Sequence, residues 1–178
     1  MAHRYTPHLN LTRWSPNYSS RNGVHPSLIV IHATVSHNKK GIGDLEIIGN
    51  LFAARSFAAS SHVCTDNEGH SARYVRDEHK AWHCAGFNSC SLGIEQILMA
   101  DGKELTRDLY RETARWVARW SKKYGIPIRK GQVSGSRVVK SGVVRHSELG
   151  SVGGGHSDPG PYDMEAMMAL AKFYRSHI

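Results

Sequence analysis

The sequence predicts a single α/β domain in which a mixed central sheet is flanked by helices. At 178 residues the chain has the length of one domain with a substantial core. The apolar, β-branched run at residues 27–34 is typical of a strand buried on both faces. Residues 104–124 place apolar side chains along one helical face. Strand patterns interleaved with helix patterns favour this fold class.

The remaining elements are predicted from periodicity and turn chemistry. A Gly-Ile-Gly turn before Asp44 predicts a first helix over Asp44–Ala59 with Asp44 as its cap. We expect strands at 61–65, 72–75, 91–98 and 143–146, an end to the second helix at Gly125-Ile126-Pro127, and a terminal helix over Asp163–His177 capped by Asp163.

The first 26 residues differ in character from the rest of the chain. They are polar and rich in turn-forming residues, so we predict an irregular N-terminal arm over 1–26 ahead of a catalytic domain over 27–178. Trp14 and Tyr18 are the side chains expected to pack the arm against the rest of the chain.

The charge balance favours an anionic partner. The chain has 23 Lys and Arg against 15 Asp and Glu, a net charge of +8, and charge alone leaves nucleic acid, a membrane surface and an anionic cell-wall polymer open. No helix-turn-helix, zinc-finger or RNP-like pattern is present, so nucleic acid is not expected as the main partner. No apolar stretch is long enough to cross a bilayer, and no signal peptide is seen.

Cys64, Cys84 and Cys90 show neither a C-x-x-C pair nor a metal-ligand spacing. Since three cysteines cannot all pair within the chain, we expect buried or free thiols in a reducing cytoplasm. A Cys84–Cys90 bridge across a short loop stays open as an alternative.

His32, His146 and Asp158 are candidate metal ligands. His32 follows the apolar run 27–31, His146 follows a second predicted strand, and Asp158 precedes Pro-Gly. Two imidazoles and one carboxylate leave a fourth position open, as in catalytic zinc sites. In the alternative interpretations His32 is a structural histidine, Asp158 only organises a turn, or His156 replaces Asp158 as ligand.

Glu95 lies on a predicted strand that is otherwise apolar. A carboxylate in such surroundings needs a partner or a function, and partial burial could raise its pKa into the range of a general base. The alternative is a solvent-facing residue of an alternating strand.

Six motifs in a fixed order give the chain a family resemblance. They are Ile29–Thr34, Ser61–Val63, Ala81–Gly86, Ser91–Glu95, Arg145-His146 and Asp158–Gly160. From about Ser27 to the C-terminus the chain resembles zinc-dependent N-acetylmuramoyl-L-alanine amidases of the type-2 amidase and peptidoglycan recognition protein superfamily. With its compact size, cationic charge and lack of a signal peptide, it is similar to a phage endolysin catalytic domain.

The resemblance implies roles for individual residues. His32, His146 and Asp158 would bind Zn²⁺, and Glu95 would act as the catalytic base. His83 and Asn88 would contact the substrate, while His62 would support the fold. His156 stands where relatives often carry a Lys that steadies the oxyanion, which predicts a stronger loss of activity with rising pH than a Lys would give.

The resemblance also implies an activity. The expected reaction is hydrolysis of the amide between N-acetylmuramic acid and L-alanine in bacterial peptidoglycan by zinc-activated water, in a monomer held in the host cytoplasm until its release for phage-induced lysis. The alternatives are a non-catalytic peptidoglycan-binding module on the same scaffold and a zinc amidohydrolase acting on a small amide. No role is assigned to six further histidines: His3, His8, His25, His37, His70 and His79.

Overall fold

The computed structural model describes residues 5–35, 40–98 and 105–178. It confirms a mixed sheet flanked by helices. The strands are β1 Leu9–Thr12, β2 Tyr18–Ser20, β3 Leu28–Val35, β4 Val63–Thr65, β5 Ser71–Arg73, β6 His79–Ala81, β7 Ser91–Leu98, β8 Gln132–Ser134, β9 Arg137–Lys140 and β10 Gly142–Arg145. The α-helices are α1 Gly43–Ala53, α2 Arg107–Tyr124 and α3 Met164–Arg175.

The central sheet has six strands in the order β1-β5-β4-β7-β3-β10. Its pairs are parallel except β4 with β5, which is antiparallel. The turn between β4 and β5 is closed by Asp66, whose Oδ1 accepts the N–H groups of Glu68 and His70. Strands β3 and β7 pair over their full length, with His32 opposite Glu95.

The two faces of the sheet are covered by different elements. Successive side chains of a strand point to opposite faces, and Ile29 and Ile31 pack against α2 and α3. Leu28 and Val30 point the other way and pack with Val144, Phe87 and other side chains of the second face. The main apolar core therefore lies between the sheet and the helix pair α2 and α3.

The predicted end of α2 at Gly125 and the predicted cap of α3 at Asp163 are confirmed, whereas α2 begins at Arg107 with a Thr106 cap that was not predicted. The Thr106 side chain accepts the N–H of Leu109 at the start of α2, and Gly125 ends that helix with a φ of 68°. Asp163 accepts the N–H of Ala166 at 2.9 Å and caps α3. The predicted first residue of α2, Glu104, lies outside the described residues.

Helix α1 is shorter than predicted. It begins at Gly43 and ends at Ala53, so Asp44 lies in its first turn and is not its cap. The amide of Asn17 donates to the carbonyl groups of Phe52 and Ala54, which gives the end of the helix hydrogen-bond partners from a distant segment. A 3₁₀ turn over Arg55–Phe57 follows.

Residues 1–26 were predicted to be irregular, but they contain two short strands. β1 pairs in parallel with β5 and so extends the central sheet, while β2 pairs with β6 in a separate two-stranded sheet. These strands are three or four residues long, too short for a period-2 pattern to reveal. The division into an arm and a catalytic domain at residue 27 stays a prediction.

Two further predictions can be compared with the structure. Cys64, Cys84 and Cys90 are all free, so the Cys84–Cys90 bridge does not form. Within the described ranges, none of the helices is both long and apolar enough to cross a membrane.

Candidate active site

Three neighbouring parallel strands bring the predicted site residues to one edge of the sheet. His32 lies near the carboxyl end of β3, Glu95 is opposite it on β7, and His146 directly follows β10. The carboxyl ends of parallel strands meet at the same edge. By strand alternation, His32 shares the face of Leu28 and Val30, away from α2 and α3.

His32, His146 and Asp158 converge at this edge. Their Nδ1, Nδ1 and carboxylate oxygen atoms all lie within 4.8 Å of one another. The two Nδ1 atoms are 3.0 Å apart, His146 Nδ1 lies 3.0 Å from Asp158 Oδ1, and His32 Nδ1 lies 3.5 Å from Asp158 Oδ2. Ligand atoms about 2.0–2.1 Å from a tetrahedral zinc ion are themselves about 3.3 Å apart. The three residues therefore fit such an ion.

The hydrogen bonds of His146 fix which ring nitrogen is available to a metal. Its Nε2 lies 2.9 Å from the Gly153 carbonyl oxygen. A carbonyl can only accept, so the proton is on Nε2 and the Nδ1 lone pair points at the cluster. Outer contacts of this kind orient metal-binding histidines.

A longer hydrogen-bond chain does the same for His32. The Ser91 hydroxyl donates to the Phe87 carbonyl at 2.8 Å, so its oxygen accepts from His83 Nε2 at 3.0 Å. His83 Nδ1 then accepts from His32 Nε2 at 2.8 Å. This order leaves the lone pair of His32 Nδ1 directed at His146 and Asp158.

Gly93 makes room for this chain. A Cβ atom at Gly93 would lie 2.6 Å from His83 Nδ1, too close for any side chain. A glycine inside a strand commonly marks such a close approach. Gly93 therefore lets the His83 ring lie over β7 and reach His32.

The electrostatics of the cluster favour a shared cation. Burial raises the pKa of Asp158, but the neighbouring imidazoles of His146 and His32, which stabilise the carboxylate when they are protonated, outweigh it and hold that pKa well below its usual range. Burial lowers the pKa of His32 to about 4, against the opposing effect of Asp158. Burial also lowers the pKa of His146, yet its bonds to Asp158 and Gly153 leave the pKa raised. A carboxylate beside two lone pairs attracts a proton or a metal ion.

Glu95 faces the same cleft. Its Oε2 is buried and has no hydrogen-bond partner among the described residues. Burial, followed by the nearby charge of Asp158, raises the pKa of Glu95 to about 8. The interpretation as a solvent-facing strand residue is therefore wrong, because Glu95 is half-buried, with its Oε2 atom fully buried, and lines a cleft.

His156 lies beside the cluster and outside it. Its exposed ring stacks on His146, with ring centroids 4.4 Å apart and an interplanar angle of 20°. The geometric ligand group contains Asp158 instead, and Asp158 is held in place by the Ala33 N–H, which donates to Oδ2 at 3.2 Å.

The cluster opens into a cleft of about 470 Å³. His83 and Asn88 both line it. Asn88 Oδ1 accepts the N–H groups of His83 and Cys84, so its amide NH₂ remains to meet a ligand. The wall opposite is apolar and comes from α1 and the turn after it: Ile48, Leu51, Phe52, Phe57, Ala58 and Ala59.

His62 is buried beneath the cleft. Its Nδ1 accepts the Gly93 N–H at 3.0 Å, and its Nε2 lies 3.1 Å from the His79 carbonyl. These contacts fit the fold-supporting role expected of it. His8, His25, His70 and His79 are not among the residues that line the cleft, and His3 and His37 lie outside the described residues.

Sequence reasoning missed the residues that orient the ligands. Ser91 and Gly153 act through a hydroxyl and a backbone carbonyl, for which spacing gives no signal. Gly93 was the available clue, because a glycine inside an apolar strand indicates that another group approaches closely. The apolar wall from α1 was also missed, because its side chains have the helical spacing of ordinary core residues.

Comparison with known proteins agrees with this geometry. The family model described as N-acetylmuramoyl-L-alanine amidase matches residues 22–161. No curated protein sequence matches the chain.

Solved structures share the fold. AmpD is 24% identical, with a TM-score of 0.66 and coverage of 89% of this chain and 92% of that chain. The Staphylococcus aureus hydrolase AmiA, solved with its ligand, is 19% identical, with a TM-score of 0.67 and coverage of 94% and 82%. The endolysin LysCS from Clostridium intestinale is 16% identical, with a TM-score of 0.60 and coverage of 94% and 97%. Together with the family match over most of the chain, the fold and site geometry show that this protein belongs to the N-acetylmuramoyl-L-alanine amidase family.

Proposed function

We propose that the protein hydrolyses the amide bond between N-acetylmuramic acid and L-alanine in bacterial peptidoglycan, with Zn²⁺ held by His32, His146 and Asp158. The observation that carries the proposal is the convergence of these three donors, at separations of 3.0–3.5 Å, in the cleft that Glu95 lines. Family membership supports the substrate class.

A bound zinc ion lowers the pKa of a water molecule and polarises an amide carbonyl. Glu95 removes the proton from the attacking water and passes it to the departing amine of L-alanine. Its raised pKa suits both halves of this transfer, because the group can accept and release a proton near neutral pH.

His156 donates a hydrogen bond to the oxyanion that forms on the attacked carbonyl. Its exposed position at the rim of the cleft leaves the ring able to reach a substrate. His156→Lys keeps a hydrogen-bond donor at this position, so it should retain activity that His156→Ala loses.

The cleft supplies the substrate contacts. Asn88 offers its free amide NH₂ to the stem peptide, and the face of the His83 ring lines the same cavity. The apolar wall from α1 and the turn after it offers the substrate an apolar surface in the same cleft.

Mass spectrometry of digested peptidoglycan tests the proposal. The untreated and zinc-restored protein should release stem peptides with a free L-alanine amine, and the chelated protein should release none. His70→Ala, which changes a histidine outside the cleft, is the matched control for His32→Ala. Binding to an uncut polymer in every sample would instead indicate a non-catalytic binding module, and cleavage of small amides without muramic acid would indicate another amidohydrolase.

The biological setting follows from the same proposal. We propose an endolysin that acts as a monomer on peptidoglycan and stays in the host cytoplasm until phage-induced lysis, which the fold likeness to endolysins supports. Bacteria that express the protein should lyse only after their membrane is permeabilised, and the Glu95→Gln variant should not lyse them.

A further inference from the structure

The positive charge of the chain comes from one segment. Residues 113–147 contain nine Lys and Arg and no Asp or Glu, so the remaining fourteen basic and fifteen acidic residues nearly cancel. Four of these nine, Arg115, Arg119, Lys122 and Lys123, lie on α2, which covers the face of the sheet opposite the cleft. The catalytic site uses none of these nine side chains.

Four of the nine lie on the hairpin formed by β8 and β9 and at its base. Arg129, Lys130, Arg137 and Lys140 are exposed, and Arg129 Nε donates to the Ser141 carbonyl at 3.2 Å, which places it next to Lys140. We call residues 129–140 the basic hairpin. Only Lys130 has an acidic partner, Glu148 at 2.8 Å; the other three form no salt bridge within the described part of the chain.

The basic hairpin lies on the same face of the sheet as the cleft. Val133 and Val138 pack with Leu28 and Val30, the two residues of β3 that share a face with His32. Val152 belongs to the same packed cluster, and the next residue, Gly153, borders the cleft. The hairpin and the cleft therefore share one face of the sheet.

We propose that the basic hairpin is a second contact surface for peptidoglycan, which it holds through the carboxylates of stem peptides beyond the unit being cleaved. This proposal rests on the proposed function. A repeating polymer offers many carboxylates, so weak ionic contacts at the hairpin add to binding in the cleft. The hairpin exposes one large apolar side chain, Val139 at 61%, so it lacks the apolar face that an amphipathic segment inserts into a lipid bilayer.

The test compares two double variants of the full chain that remove equal charge. Arg137→Gln with Lys140→Gln changes the hairpin, and Lys172→Gln with Arg175→Gln changes exposed residues of α3 on the opposite face. Cosedimentation with peptidoglycan freed of attached phosphate polymers measures affinity at increasing salt, and turnover of a small soluble muropeptide measures the cleft alone. Thermal midpoints check that each variant is folded.

The hairpin variant should bind the polymer about two- to tenfold more weakly, with a smaller salt dependence and unchanged muropeptide turnover. The α3 variant should match the wild type. Amidation of the peptidoglycan carboxylates should remove the difference between hairpin variant and wild type.

Three results would overturn the proposal: equal loss of affinity in the α3 variant, a difference that survives carboxylate amidation, or equally tight capture by anionic lipid vesicles. Failure of the proposed function is separate, because it would appear as absence of cleavage of both substrates by the wild type. The cosedimentation comparison would stand in that case.

Discussion

The two faces of the central sheet have different roles. The face covered by α2 and α3 is lined by apolar side chains such as Ile29, Ile31 and Trp120, which are fully buried. The opposite face carries His32, Glu95 and His146 next to a cleft of about 470 Å³. The same strands supply both, through alternate residues. One face thus stabilises the fold, and the other can hold buried polar groups that cost stability.

The largest expected effect on the cleft face comes from Glu95→Gln. This change keeps the shape of the side chain and removes the carboxyl group, so turnover of peptidoglycan should fall by about 10²–10⁴-fold. Stability should be unchanged or higher, because Glu95 Oε2 is buried without a partner in the part of the chain that the structure describes. Peptide release and the thermal midpoint measure the two effects. Full turnover in this variant would show that Glu95 is not the base.

The opposite pattern is expected on the helix-covered face. Trp120→Ala removes one of the largest fully buried side chains and should lower the free energy of unfolding by about 3–5 kcal/mol. Turnover per folded molecule should not change. The milder variant Ile29→Val, expected to cost about 0.5–1.5 kcal/mol, tests the same point if Trp120→Ala does not fold. A loss of turnover without a loss of stability would contradict the division between the faces.

Next in size is the effect of the residues that orient His32. In His83→Ala or Ser91→Ala the hydrogen-bond chain to His32 Nε2 is broken, and affinity for Zn²⁺ should fall about 10–100-fold. Competition with a chromophoric chelator measures this without any substrate. The control is Cys90→Ser, close to Ser91 in sequence but hydrogen-bonded to the Phe87 carbonyl. Unchanged zinc affinity in both test variants would mean that His32 is oriented by other contacts.

The last expected effect is the pH dependence of stability in the metal-free protein, which develops only as the pH falls. Burial, then the charge of Arg21, lowers the pKa of His62 to about 3, below the ordinary value of 6.5. Between these two pH values the unfolded chain therefore binds a proton at His62 that the folded protein does not bind. The contribution of His62 to the free energy of unfolding is complete above about pH 6.5 and decreases as the pH falls toward 3.

The slope attributable to His62 is at most about 1.4 kcal/mol per pH unit. His32 and His83 act in the same direction, since burial lowers both pKa values. Urea titrations at several pH values should show a shallower decline for His62→Gln than for the wild type. Parallel curves for the two proteins would argue against a neutral buried His62.

Much of the fold was predictable because its longest elements carry local signals. The helix ending at Tyr124 combines apolar periodicity with a Thr cap and a terminal Gly, and β3 is a continuous apolar run. The short strands β1, β2, β6, β8 and β9 were missed, because three or four residues are too few to show a period. β4 and β5 are equally short, but the turn-forming residues 66–70 between them made them predictable. The end of α1 was misplaced because its partner, Asn17, lies 35 residues away.

The sequence by itself determined the order of the main elements, the motifs that identify the family, and the three residues able to bind a metal. Those features depend on local periodicity and on side-chain chemistry. Only the tertiary structure decided that His32 and His146, 114 residues apart, meet at 3.0 Å, that Ser91 and His83 fix the tautomer of His32, and that the basic hairpin shares the face of the cleft. Contacts between distant residues are set by packing and hydrogen-bond direction, which spacing along the chain does not encode.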